Sequence, residues 1–174
     1  MTEFTTISSR ERKQAVKQTP ELNRIQEKMR PGVLTLKGFL GHDDRKLADI
    51  LETDHQTIQR LNLDTARIAV CLQDLADRGS DLMEQEVLVD NRYLIKVRDD
   101  RGKIPSPWGD GLFEKGDVDL VDQKTGKTLK WNRLTLRLLE VHGFFGGYGS
   151  EYRIDPEAIV EILDSATITI KSEN

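Results

Sequence analysis

Glu86-Val87-Leu88-Val89-Asp90-Asn91-Arg92-Tyr93-Leu94-Ile95-Lys96-Val97 is the stretch whose reading decides the fold. Val87, Val89, Tyr93, Ile95 and Val97 fall on alternate positions either side of Asp90-Asn91. A period of two puts alternate side chains on one face of a strand, so two short strands flanking a tight turn are expected. Everything before Gly79 has a different rhythm. Leu47, Ile50, Leu51, Ile58 and Leu61 share one helical face, and Ile68, Cys71, Leu72 and Leu75 share another. Asn62-Leu63-Asp64 separates the two, with Asp64 as the natural cap of the second. The change of period predicts an α+β chain: an N-terminal helical hairpin packed on a small, mostly antiparallel sheet, with two further helices.

Those further helices lie downstream. Val118-Asp119-Leu120-Val121 and Leu129-Lys130-Trp131 flank Gln123-Lys124-Thr125-Gly126-Lys127, a hairpin whose Gly126 suits a left-handed loop position. Asn132 caps a helix carrying Leu134, Leu138 and Val141, which His142-Gly143 ends. Tyr152-Arg153-Ile154 reads as a strand. Asp155-Pro156-Glu157 starts a helix with Ile159, Val160, Ile162 and Leu163, and Thr167-Ile168-Thr169-Ile170 alternates like a final edge strand. An exposed edge invites pairing, so a homodimer is expected. Residues 1–32 form a polar arm with one helix after Thr19-Pro20, its thin apolar edge being Leu22, Ile25 and Met29. Residues 33–174 form a single α+β domain.

The 174 residues carry a net charge of −4, which argues against a general nucleic-acid coat. Residues 92–137 nonetheless hold eleven Lys and Arg against seven Asp and Glu. The lone Cys71 excludes an internal disulfide, and the absence of a signal segment or membrane-length apolar run points to the cytoplasm with no membrane partner. Cys71 lies in an apolar helical stretch and reads as an inert buried thiol.

Two loops stand out. Arg101-Gly102-Lys103-Ile104-Pro105-Ser106-Pro107-Trp108-Gly109-Asp110-Gly111 combines stiffening prolines with a loop tryptophan. His142-Gly143-Phe144-Phe145-Gly146-Gly147-Tyr148-Gly149-Ser150-Glu151-Tyr152-Arg153 combines glycines with aromatic rings. Eight of the ten aromatic residues lie between Tyr93 and Tyr152. Glycine lets backbone N–H groups approach a ligand, and arginine offers a planar fork to carboxylate or phosphate. The candidate ligand set is therefore Arg101, Lys103, Trp108, Asp110, His142, Tyr148, Ser150, Tyr152 and Arg153. Each loop also has a plain structural reading: Trp108 folded over the core, and Phe144 and Phe145 plugging it after a helix stop. Ser106 or Ser150 can be combined with His142 and Asp110 as a Ser/His/Asp set, but Ser150 lacks the Gly-x-Ser-x-Gly setting. His42, His55 and His142 show no metal-ligand spacing, and no metal site is expected. Nothing in the residues names a cofactor.

Residues 46–61 carry helix-turn-helix features: Ala48, apolar Leu51, Ile58 and Leu61, and polar Gln56, Thr57, Gln59 and Arg60. Against this, Glu52 stands where the turn needs glycine, and Asp49, Glu52 and Asp54 repel phosphate.

The segments Gly38-Phe39-Leu40-Gly41, Arg60-Leu61-Asn62-Leu63, Arg101-Gly102-Lys103-Ile104-Pro105, Thr125-Gly126-Lys127, His142-Gly143-Phe144-Phe145 and Gly149-Ser150-Glu151-Tyr152-Arg153 occur in an order that resembles a family of small, uncharacterised prokaryotic cytosolic proteins. The resemblance covers roughly residues 33–163. It implies that both unusual loops belong to one design, but it transfers no activity. It also implies a Cys in relatives where this chain has Ser106, so no thiol or metal role carries over to that position.

Three functions follow as expectations. The first is a binding module or enzyme for a small anionic ligand, held by Arg101, Lys103 and Arg153 and stacked on Trp108 or Tyr148. The second is an interaction protein with no small ligand. The third is a DNA-binding regulator using residues 46–61, which the acidic residues disfavour.

Overall fold

The computed structural model describes residues 17–82 and 84–171. Residues 1–16 of the expected arm lie outside these. The fold is α+β. In chain order it runs α1 (Pro20–Lys28), α2 (Leu47–Arg60), α3 (Thr65–Gly79), a 3-10 turn (Ser80–Leu82), β1 (Glu86–Val89), β2 (Tyr93–Val97), β3 (Lys103–Pro105), β4 (Leu112–Glu114), β5 (Val118–Asp122), β6 (Thr128–Trp131), α4 (Arg133–His142), α5 (Pro156–Ile162) and α6 (Ser165–Ile168).

The sheet is antiparallel throughout, in the order β1-β2-β5-β6. Asp90 and Asn91 both take φ +53° in the three-residue loop between the paired ends Val89 and Tyr93, with the Arg92 N–H donating to Val89 O at 3.1 Å across them. The β5–β6 hairpin is organised by Asp122. Its buried carboxylate accepts from the Lys124 N–H at 3.1 Å, the Thr125 hydroxyl at 2.6 Å and Arg92 at 2.6 and 2.7 Å. The guanidinium of Arg92, ahead of burial, sets the Asp122 pKa, which falls to about 2. β3 and β4 form a separate two-stranded ribbon inserted between β2 and β5.

α3 is the helix that lies on the sheet, against β1 and β2. Gly79 permits the close approach, since a Cβ there would sit 2.4 Å from Ile95 Cγ2. α2 packs mainly against α1 and α5, so the second helix of the expected hairpin makes the main contact with the strands. The described part of the arm is likewise part of the packed body: Met29 is fully buried, and Gln18 and Gln26 cap α2 from outside. Lys46, at the N-cap of α2, makes no side-chain cap, but Gln26 Oε1 accepts from the Leu47 N–H and Gln18 Oε1 from the Ala48 N–H, both at 2.9 Å. Helix N-termini leave such donors unsatisfied, and here Gln26 of α1 and Gln18 just ahead of it supply the acceptors.

Two apolar clusters make the core. The larger joins the sheet and α3 to α5 and α6; the smaller joins α1 and α2 to Phe39 and Leu40. α4 serves both, with Leu136 and Leu139 in the larger and Leu134 and Leu138 in the smaller. Its entry is fixed by a reciprocal capping box between Asn132 and Thr135, and its exit by Gly143 at φ +64°.

Two expected strands are absent. Tyr152–Ile154 is irregular chain, held by the Ile154 N–H donating to Phe145 O at 2.9 Å. Residues 165–168 form α6, capped by Asp164, rather than an edge strand. The alternation of Thr167–Ile170 is satisfied within the chain: Ile168 is fully buried, Asp64 N–H donates to Ile168 O at 2.8 Å, and Ile170 N–H donates to Asn62 O at 3.0 Å. The edge-strand argument for a homodimer therefore loses its strand. The helix-turn-helix reading loses its turn, because α2 runs unbroken from Leu47 to Arg60. No described helix is long and apolar enough to cross a membrane.

Candidate functional site

The glycine-aromatic loop is shaped first by its docking onto a second glycine loop. Gly147 N–H donates to Phe39 O at 3.1 Å, and His42 N–H donates to Tyr148 O at 2.9 Å. A Cβ on Gly147 would stand 2.1 Å from Leu40 O, and one on Gly41 would stand 2.3 Å from Ser150 N. The glycines thus permit backbone against backbone rather than backbone against ligand. Phe144 enters the smaller core cluster and Phe145 the larger, so consecutive rings pin the loop from both sides. Full burial of each ring contributes about 1.5–3 kcal/mol.

Arg153 is consumed by the fold. Its guanidinium donates to both oxygens of buried Asp54, at 2.9 and 2.8 Å, to Gly146 O at 2.7 Å and to Asp155 at 3.1 Å. Burial works against its charge, but Asp54 and Asp155 outweigh that and raise its pKa. Tyr148 lies between two guanidinium groups, Arg45 at 4.1 Å and Arg153 at 4.8 Å from its ring centre. Arg101 is exposed and makes no ion pair with a described residue.

The Trp108 loop makes its own cluster. The Trp108 and His142 rings stack with centroids 4.3 Å apart and planes 7° from parallel, and Asp110 Oδ2 lies 2.9 Å from His142 Nε2. Burial would raise the Asp110 pKa, but the Ser106 hydroxyl and the His142 ring beside it outweigh burial and lower it. Ser106 and His142 come together around the Asp110 carboxylate.

The remaining three candidates, Lys103, Ser150 and Tyr152, line a cavity of ≈460 Å³. Its walls come from the 34–39 segment, the β3–β4 ribbon, α4 and the 144–154 loop. Phe39, Ile104, Leu138, Phe144 and Ile154 supply an apolar lining, and Lys37, Lys103, Lys115, Asp117, Glu151 and Tyr152 a polar one. Most of the polar groups are already engaged. Lys37 pairs with Glu151 at 3.1 Å, and the Tyr152 hydroxyl donates to Asp117 Oδ2 at 2.6 Å. Burial, then the Asp117 carboxylate, pushes the Tyr152 phenol well above its ordinary pKa, so it remains a committed donor. Lys103 and Lys115 have no carboxylate partner among the described residues.

Trp108, Asp110, His142, Tyr148 and Arg153 are not on this cavity's wall. Sequence reasoning missed Lys115 and Leu138. Lys115 lies next to Gly116 in a turn with no motif around it, and Leu138 reads simply as a core residue of α4. Among the described residues no three His, Cys, Asp or Glu side chains gather as a metal-binding set. Burial, ahead of nearby Asp74, raises the Cys71 pKa, as suits a thiol kept protonated.

Comparison of the chain with protein-family models, with curated proteins and with solved structures finds no match.

Proposed function

We propose that this protein is a binding module for a small anion with an apolar body, taken up by the cavity between the 34–39 segment and the β3–β4 ribbon. The observation that carries this reading is the pairing of an apolar lining with two lysines, Lys103 and Lys115, that have no carboxylate partner among the described residues. Ligand sites of about 300–1,000 Å³ commonly have this character: an apolar lining that supplies affinity and a few polar groups that fix orientation. The ammonium groups receive the anionic head, while Phe39, Leu138 and Phe144 cover the body. Arg153 and Tyr148, first candidates on residue type, serve as the rigid back of the loop that forms one wall. With Tyr152 held by Asp117, the reading is of a binder rather than a catalyst.

Titration with decanoate, followed by thermal shift and by calorimetry, tests this. Saturable binding is expected, weakened about tenfold (about 1.4 kcal/mol) in the Lys103→Ala/Lys115→Ala double variant. Absence of saturable binding, or equal binding by the double variant, would overturn it.

A second reading, a surface for another protein, draws support from Val33 and Leu36, which are 56% and 87% exposed on the segment beside the cavity.

A further inference from the structure

The four-stranded sheet has two faces of opposite character. Alternate residues of its strands, among them Val89, Ile95, Leu120 and Leu129, point inward and join the larger core cluster. The other set is Glu86, Leu88, Leu94, Lys96, Asp119, Val121, Thr128 and Lys130, and none of these is buried. Leu88 is 49% exposed and Val121 37%, and Leu94 belongs to neither core cluster.

Register sorts this outer face into two rows that run across the strands. One reads Leu88, Leu94, Val121, Thr128, and the next reads Glu86, Lys96, Asp119, Lys130. The second row alternates in sign from β1 to β6. Glu86 and Lys96 make no ion pair with a described residue. Asp119 has Arg98 beside it at 2.5 Å, while Lys130 meets Asp117, Asp119 and Glu151 only at 3.7–3.8 Å, longer than a hydrogen bond.

That order of signs is complementary to itself. Consider a second copy turned about a two-fold axis parallel to the strands, midway between β2 and β5. It lays β1 over β6 and β2 over β5. Glu86 then faces the partner's Lys130, and Lys96 faces the partner's Asp119. Leu94 meets the partner's Val121, so apolar row lies on apolar row. An axis across the strands instead sets like charge on like, or charge on leucine. Sheets packed face to face keep their strands within about 30° of each other, which an axis close to the strand direction allows. Opposed charges of this kind fix register and orientation more than they add affinity.

We propose that this face docks a second copy of the chain, giving a two-fold dimer packed sheet on sheet. From β1 to β6 the face is only about 15 Å wide. Such a patch falls short of the roughly 800 Å² per partner of a standard interface, so the dimer is weak and reversible. It holds whether or not the cavity binds an anion.

Sedimentation equilibrium of the full chain, from about 1 μM to about 1 mM, tests this. Reversible association of monomer to dimer is expected. Lys96→Glu sets a carboxylate against the partner's Asp119 and should weaken the dimer at least about tenfold, as should Leu94→Glu. Circular dichroism checks that each variant folds, and Leu88→Glu, at a more exposed position, replaces Leu94→Glu if that one does not. Cross-linking reads the geometry. Leu88 and Thr128 lie three strand intervals apart within one chain, about 14 Å, but face each other across the axis. Leu88→Cys/Thr128→Cys should therefore give far more covalent dimer with a short bis-maleimide than Leu88→Cys alone, or than the parent with its single Cys71. A chain that stays monomeric throughout, a dimer indifferent to Lys96→Glu, or a double-cysteine yield no better than that of Leu88→Cys would each overturn the proposal.

Discussion

Arg153 and Asp54 form a two-bond ion pair, at 2.9 and 2.8 Å, between residues 99 positions apart, and both side chains are almost wholly buried. The pair ties the 146–153 loop to the middle of α2. The residue with the strongest chemical signature in the loop is therefore spent on holding the loop in place.

Removing the arginine leaves a buried carboxylate without its counter-charge. Arg153→Ala is expected to destabilise the protein by about 3–5 kcal/mol, and Arg153→Lys to recover little, since an ammonium does not reproduce the planar fork. Urea unfolding measures both. A loss below about 1 kcal/mol would show that the pair does not hold the loop.

The interlocked glycines predict a ranking. Gly147→Ala places a methyl 2.1 Å from a backbone oxygen that has no rotamer by which to escape, whereas Gly126→Ala has open space and only an unfavourable φ of +74°. The second costs about 1–2 kcal/mol, and the first should exceed it by at least about 1 kcal/mol. Thermal melting of the two variants side by side decides the order.

Asp122 predicts an acid limb. Its folded pKa, about 2, lies below the ordinary 3.8, so the folded state binds this proton less readily than the unfolded chain. The stabilisation is complete above 3.8 and is lost as pH falls through about 2. Asp122→Asn should be less stable at neutral pH, and its stability should decline less steeply between these two values. Denaturant unfolding at a series of pH values reads the difference; parallel curves would refute the assignment.

Gln26 predicts a cap supplied from another helix. Its side chain accepts from Leu47 N–H and donates to Arg45 O, each at 2.9 Å. Gln26→Ala should cost about 1–2 kcal/mol, comparable to losing an N-cap, while the exposed neighbour variant Glu27→Ala stays within about 0.5 kcal/mol. Amide exchange at Leu47 should rise in the first variant and not in the second.

Much of the fold was legible because it is encoded locally. The period-two stretch around Asp90-Asn91, the helical spacing before Gly79, the caps at Asp64, Asn132 and Asp155, and the stop at Gly143 each depend on residues within one turn of one another. Backbone sterics and first-turn hydrogen bonds act over that range, so the sequence carries them openly. The candidate site was legible only in part. Lys103, Ser150 and Tyr152 line the main cavity, but residue type could not separate them from Arg153 or His142, whose partners lie far along the chain.

The sequence by itself determined the α+β class, the hairpins and most helix limits, through local periodicity and capping. Only the tertiary structure decided that α2 is capped by Gln18 and Gln26, that the Thr167–Ile170 segment turns inward instead of offering an edge, and that Arg153 serves Asp54. The physical reason is the same in each case. A polar or charged group seeks whichever partner burial brings to it, and burial is a property of the whole packed chain.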